Sequence, residues 1–340
     1  MFWIFTALSI IVNAFMIFGG GAGWLNESSR EIAESGQYRD YEGVNVYADY
    51  DASQYAESAL EREPLNPFLE RLMREKYERQ QTVADEFNED GLSYYVYAHK
   101  ATRSIHSLLF HTTMGSIFIQ AGILGSLAML YSLGYEQQNK TGYIYASKTG
   151  RKIIRHKYLA GLIAGIVGFA IIGGATLAMY FTAWDYSGFW QANVSSGYNF
   201  ISDSLHPTRP FITWQSFTVA EYFGISLALT FALVIVIIMF SGVVGLLIRN
   251  TFTAFVAAGM LLFGTFVSES FFGSWGLMTF AHAVRLSTVY IWQQRSVWLT
   301  DMGVSALFAY QEVFGTVLNI IVCGLFALIA ARLFKRKNLV

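Results

Sequence analysis

Six stretches of this 340-residue chain are long and apolar enough to cross a lipid bilayer, and they constrain the fold more than any motif does. Hydrocarbon about 30 Å thick needs about twenty apolar residues in helical form, each adding about 1.5 Å. The stretches are Phe2–Gly20, Ile105–Leu133, Tyr158–Ala183, Phe217–Ile248, Thr251–Ser268 and Val313–Leu333. The chain is 54% apolar and only 14% charged, too little polar material to cover a soluble fold of this length. Three of the stretches exceed 25 residues, which predicts tilt or an interfacial extension. The first stretch also invites reading as a signal peptide, since the small residues of Gly19–Gly23 would tolerate cleavage. It lacks a basic leader and its apolar run is long for that purpose, so a retained helix is expected. The one cysteine, Cys323, lies inside an apolar run, which excludes a disulfide framework and a thiol metal site.

Charge is segregated along the chain, and this predicts the orientation. Residues 21–105 carry seventeen of the twenty-four acidic residues and nine of the twenty-three basic ones. The loop after the second stretch holds Lys140, Lys148, Arg151, Lys152, Arg155 and Lys157 against the single acid Glu136. Arg249 sits in the turn after the fourth stretch, and Arg332, Lys335, Arg336 and Lys337 close the chain. These eleven basic residues fall at alternate ends of consecutive spans, whereas segments 184–216 and 269–312 have only Arg209, Arg285 and Arg295. By the positive-inside rule both termini are predicted to be cytoplasmic. Seven of the eight tryptophans, all but Trp3, fall in or beside segments assigned outside, as amphipathic interface rings should.

The expected architecture is an all-α membrane protein: span one at 1–20, an extracellular, largely helical domain at 21–104 and span two at 105–133. A cytoplasmic loop at 134–157, span three at 158–183 and an outer loop at 184–216 follow. Span four at 217–248, span five at 251–268, an outer re-entrant segment at 269–312, span six at 313–333 and a tail at 334–340 complete it. The aromatic region Phe271–Tyr310 is read as helices in the outer leaflet; as a seventh span it would bury Arg285 and Arg295 without obvious partners. In the outer domain, Asn66-Pro67 predicts a helix start, with Leu69, Leu72, Met73, Val83 and Phe87 on one face and Gly91 as its stop. Residues 21–60 show no long periodicity. In the spans, the Gly161–Gly165 and Ala121–Gly125 pairs have the spacing that lets helices approach closely in lipid.

Several chemistries are excluded. No GxxxxGK[ST] or HExxH motif occurs, so neither a nucleotide-phosphate cradle nor a helical zinc site is expected. Ser305 has no histidine near it in sequence, which argues against an intramembrane hydrolase. His106 and His111 project about 140° apart on a helix, poor geometry for one ion, so no metal site is predicted. Glu221, Glu269 and Glu312 lie near outer span ends and the span middles carry no charge, which disfavours an ion-coupled carrier.

The cytoplasmic loop is the most specific feature. Glu136 closes span two, Gly142 follows six residues later, and Arg151 and Lys157 lead into span three. This order resembles that of permease subunits of the ABC-2 type, the exporter class of ATP-binding-cassette transporters. The likeness extends to six spans, a short inner turn before span five, outer re-entrant helices before span six and a basic tail. Two departures stand out: the family's amphipathic basic helix ahead of span one has no counterpart before Met1-Phe2-Trp3, and Thr149-Gly150 replaces a common Pro before the Arg. The resemblance implies that residues 137–150 form a coupling helix docking in a separate ATPase subunit, with Glu136, Gly142, Tyr143, Lys148, Arg151, Lys152 and Lys157 as the coupling residues. It implies a second permease copy or paralogue, ATP and Mg on the partner chain only, and no catalytic residue or cofactor in this one. A charge-free path implies an amphipathic peptide or lipid-like cargo crossing a bacterial plasma membrane, and no nucleic-acid partner is implied. The alternative is a membrane sensor or structural partner whose acidic outer domain binds a ligand.

Overall fold

A computed structural model describes residues 2–19, 47–48, 50–63, 65–90, 108–134, 153–184, 190–191, 193–195, 211–248, 250–302 and 305–336. Among them the chain is all-helical, and one isolated antiparallel bridge joins Asn193 and Thr218. The helices are α1 (Phe2–Phe18), α2 (Ala52–Arg62), α3 (Pro67–Glu89), α4 (Met114–Leu133), α5 (Ile153–Ala183), α6 (Val219–Leu247), α7 (Thr251–Ser274), α8 (Met278–Val284), α9 (Thr288–Gln293) and α10 (Gln311–Arg336). A π-helical turn, Leu108–Thr113, leads into α4, and a 3₁₀ turn, Arg295–Val297, follows α9.

Five segments are long and apolar enough to cross a membrane: Leu108–Leu133, Ile153–Ala183, Val219–Leu247, Thr251–Ser274 and Gln311–Phe334. This is a multi-pass membrane protein. The sixth apolar helix, α1, has 17 residues and stops at Phe18, where the glycine run begins. Its packing is inverted relative to a helix in water. Thr6, Ser9, Asn13 and Ile17 are buried, while Ile4, Leu8, Ile11, Val12 and Phe15 are exposed. Apolar side chains outward and polar ones inward suit an apolar solvent.

The bundle centres on α4, α5 and α6, with α1 against α4 and α5, and α10 against α6. Just over half of the apolar window is buried in α4 and α6, but only 11% in α7 and 22% in α10, so these two form the lipid-facing edge. Local signals define the ends. Thr218 and Glu221 form a reciprocal capping box opening α6, and Asn250 caps α7 through the Thr253 N–H at 3.0 Å.

Helix bounds differ from the sequence expectation where polar residues find partners. Helix α5 begins five residues early and carries Arg155, His156 and Lys157 as an added turn. Helix α7 continues past Ser268 through Glu269, whose carboxylate is paired with Arg285 at 2.9 Å. Helix α3 starts as expected, with Asn66 Oδ1 accepting from the Phe68 and Leu69 N–H groups. Helix α2 had no periodic signature; Asp51 caps it, and Ala52, Ala56 and Ala59 let it lie against α3.

Candidate functional site

Most of the predicted coupling residues, namely Glu136, Gly142, Tyr143, Lys148, Arg151 and Lys152, lie outside the described residues. The helices that frame them are well defined. Lys157 stands in the first turns of α5, and its carbonyl accepts from Ser132 Oγ of α4 at 2.9 Å. That bond ties the two ends of the loop together. A Cβ on Gly134 would stand 2.7 Å from Thr251 Oγ1, so the α4–α5 connection and the α6–α7 turn leave the bundle on one side.

Above the loop, α4 and α5 touch through backbone. A Cβ on Gly165 would lie 3.2 Å from the Gly125 Cα and would run into Ile238 Cδ1 of α6. A Cβ on Gly161 would meet the Met129 Cα at 2.8 Å, and Ala121 is fully buried. These four small residues line one seam. Tyr158 Oη reaches the Met239 carbonyl of α6 at 3.0 Å, and Ser241 Oγ pairs with Ser126 Oγ at 2.8 Å. The α4–α5 hairpin is therefore a closely packed unit fastened to α6.

A polar cluster lies deeper in the bundle. Asn13 Nδ2 donates to Gln120 Oε1 at 2.8 Å and to Thr176 Oγ1 at 2.7 Å. Asn13 Oδ1 accepts from Ser116 Oγ at 2.7 Å and Gln120 Nε2 at 2.8 Å. Reading spans for charge alone misses this neutral network; Asn13 and Gln120, each an amide amid the apolar residues of its stretch, were its sequence signals.

At the other end of the bundle is an ionic joint. Arg285 donates NH2 to Glu63 Oε1 at 2.7 Å, NH1 to Glu63 Oε2 at 2.9 Å and Nε to Glu269 Oε1 at 2.9 Å. His282 Nε2 lies 3.0 Å from Glu63 Oε2, and its Nδ1 lies 3.2 Å from Arg285 NH1. These contacts suit a neutral imidazole protonated on Nε2, which donates to Glu63 and accepts from Arg285. Burial and the neighbouring Arg285 push the His282 pKa down against the opposing pull of Glu63. Burial also works against the Glu63 carboxylate, but hydrogen bonds from His282 and Arg285 outweigh it and hold its pKa at about 2. Arg285 is raised despite its burial, because Glu63 and Glu269 favour its charge.

The joint connects the end of α2 with α7 and α8, and a second contact runs beside it. Lys76 of α3 is 2% exposed; its Nζ donates to the Ala306 carbonyl at 2.9 Å and sits 3.9 Å from the Tyr77 ring centroid. Leu307 and Ile212 complete the apolar core between α2 and α3. Sequence reading did not single out Lys76. Its position one turn after the apolar pair Leu72-Met73 was the missed hint, because a lysine stem packs readily along an apolar face.

The segment from Trp298 to Tyr310 is set by an unusual backbone. Leu299, Met302 and Tyr310 have φ of 59°, 53° and 59°, in the left-handed region that disfavours side-chain-bearing residues by about 1–2 kcal/mol each. Leu299 is held on both sides: its N–H donates to buried Glu312 Oε1 at 3.0 Å, and its carbonyl accepts from the Trp214 N–H at 2.9 Å. Arg295 anchors the preceding turn, with Nε to the His111 carbonyl at 2.6 Å and NH1 to the Trp292 carbonyl at 3.2 Å. Among the described residues no group of three or more His, Cys, Asp or Glu side chains has metal-binding geometry. No family model, no curated protein and no solved structure matches this chain.

Proposed function

We propose that this chain is the permease subunit of an ATP-binding-cassette exporter, with six spans, cytoplasmic termini and an extracellular domain built on α2 and α3. The observation that carries the reading is the α4–α5 hairpin. Its helices touch at Gly125 and Gly165, its ends are tied by Ser132 and the Lys157 carbonyl, and it presents the loop with Glu136, Gly142 and Arg151. A stiff hairpin of this kind transmits a push on its loop into the bundle core instead of absorbing it. The inverted packing of α1 supports its place as the sixth span, and its hydrogen bonds to α4 and α5 support retention over cleavage. Energy then comes from a partner ATPase carrying ATP and Mg, with a second permease completing the unit in a bacterial plasma membrane. The cargo would be an amphipathic peptide or a lipid-like molecule.

The ionic joint favours a second reading, a membrane sensor in which ligand binding on α2 and α3 is relayed through Glu63 and Arg285 to α7. Affinity purification from native membranes separates the two. An exporter brings down a protein with a nucleotide-binding motif and shows ATP-dependent efflux that Glu136→Ala and Arg151→Glu abolish with normal membrane insertion. Unchanged efflux in both variants would falsify the coupling assignment.

A further inference from the structure

The two arginines of the outer segment are neutralised differently. Arg285 has two carboxylates, whereas every polar contact of Arg295 goes to a neutral acceptor: the His111 carbonyl at 2.6 Å, the Trp292 carbonyl at 3.2 Å and His111 Nε2 at 3.5 Å. Its guanidinium also lies 4.5 Å from the Trp292 ring centroid. No ion pair to Arg295 is formed among the described residues. Of the five N–H groups of a guanidinium, these contacts engage three at most.

Its depth is as telling as its charge. His111 and Gly115 lie three and seven residues into the Leu108–Leu133 span, about 5 and 10 Å along its axis. The guanidinium packs directly over Gly115, where a Cβ would stand 2.5 Å from Nε. One turn deeper, Ile119 is 45% exposed, the exposure of an apolar side chain suited to lipid. The charge therefore sits where hydrocarbon gives way to headgroups, beside an indole of the kind that favours that boundary. Burial with no compensating carboxylate pushes its pKa down to about 10. An anion from outside the chain would relieve that penalty, and phosphate oxygens match a guanidinium fork.

We infer that Arg295, framed by His111 and Trp292, is a phosphate-binding site filled in the membrane by a phospholipid headgroup. The inference rests on the bundle lying in a bilayer and is independent of what the protein transports. The bound lipid would fasten the α9–3₁₀ turn to the opening of α4.

The test uses the full chain in detergent, stripped of lipid. Native mass spectrometry follows titration with phosphatidylglycerol, with phosphatidylethanolamine and with a diacylglycerol of the same acyl chains. Either phospholipid should bind about tenfold or more tightly than the diacylglycerol, the worth of one charge-assisted hydrogen bond. Arg295→Gln should remove that preference, Arg295→Lys should keep part of it, and Arg155→Gln should leave it intact. If millimolar inorganic phosphate displaces the lipid from the unaltered protein, the site also draws its phosphate from solution. Equal binding of diacylglycerol and phospholipid by the unaltered protein overturns the inference without recourse to any variant. So does an unchanged preference in folded Arg295→Gln.

Discussion

Arg285 is 6% exposed and holds two carboxylates from distant parts of the chain, so its removal leaves Glu63 and Glu269 facing each other with no cation between. Arg285→Gln should destabilise the protein by about 3–5 kcal/mol, the usual consequence of breaking one side of a buried pair. Thermal unfolding in detergent measures it. Acid weakens the same joint through two groups. The folded pKa of Glu63 lies below its ordinary 4.5, so its contribution is complete above that pH and is lost as pH falls toward about 2. His282 is also depressed, from 6.5: the unfolded chain takes a proton there and the folded chain does not, so stability starts to fall below 6.5. Midpoint temperature should therefore decline from pH 6.5 downward, and His282→Gln should flatten the portion between 6.5 and 4.5. A flat profile in the unaltered protein would show that the joint does not carry this load.

Helix seams come next in scale. Gly165→Val should push α5 off α4 and cost about 1–3 kcal/mol or more by overpacking, because the added Cβ meets Ile238 of α6 and, at 3.2 Å, the Gly125 backbone, which cannot swing aside. Gly174→Val, on the same helix with nothing within 4 Å, should be nearly silent, and comparing their denaturation in detergent isolates the seam. Asn13→Leu should lose about 1–2 kcal/mol in the same assay, since Gln120, Ser116 and Thr176 lose their shared partner. How legible each element was follows from what holds it. The long helices declare themselves through apolar runs, and α3 through Asn66-Pro67, because those causes are local. Helix α2 is held by alanines against α3, and Glu63 acquires meaning only beside Arg285, 222 residues away. No window along the chain contains both. The neutral Asn13 cluster stayed hidden for the same reason: its members come from three helices.

For the whole molecule, the basic residues predict which face is which. In a Cys323→Ala background, a membrane-impermeant maleimide should label Glu75→Cys on intact cells and Lys140→Cys only after lysis. The reverse pattern would invert the topology. The exposed apolar flanks of α7 and α10 are then ordinary lipid contacts, not liabilities.

The separation of Glu63 from Arg285 also sets an order of assembly. At about 5–20 residues per second, synthesis delivers Arg285 about 10–45 s after Glu63. In the proposed topology α2 and α3 spend that interval on the far side of the membrane, without the basic partner of Glu63 and without Leu307 over their apolar core. A nascent chain halted in that window presents an unfinished surface to the proteases there, whereas a completed one has closed it. The joint thus doubles as a mark of finished synthesis.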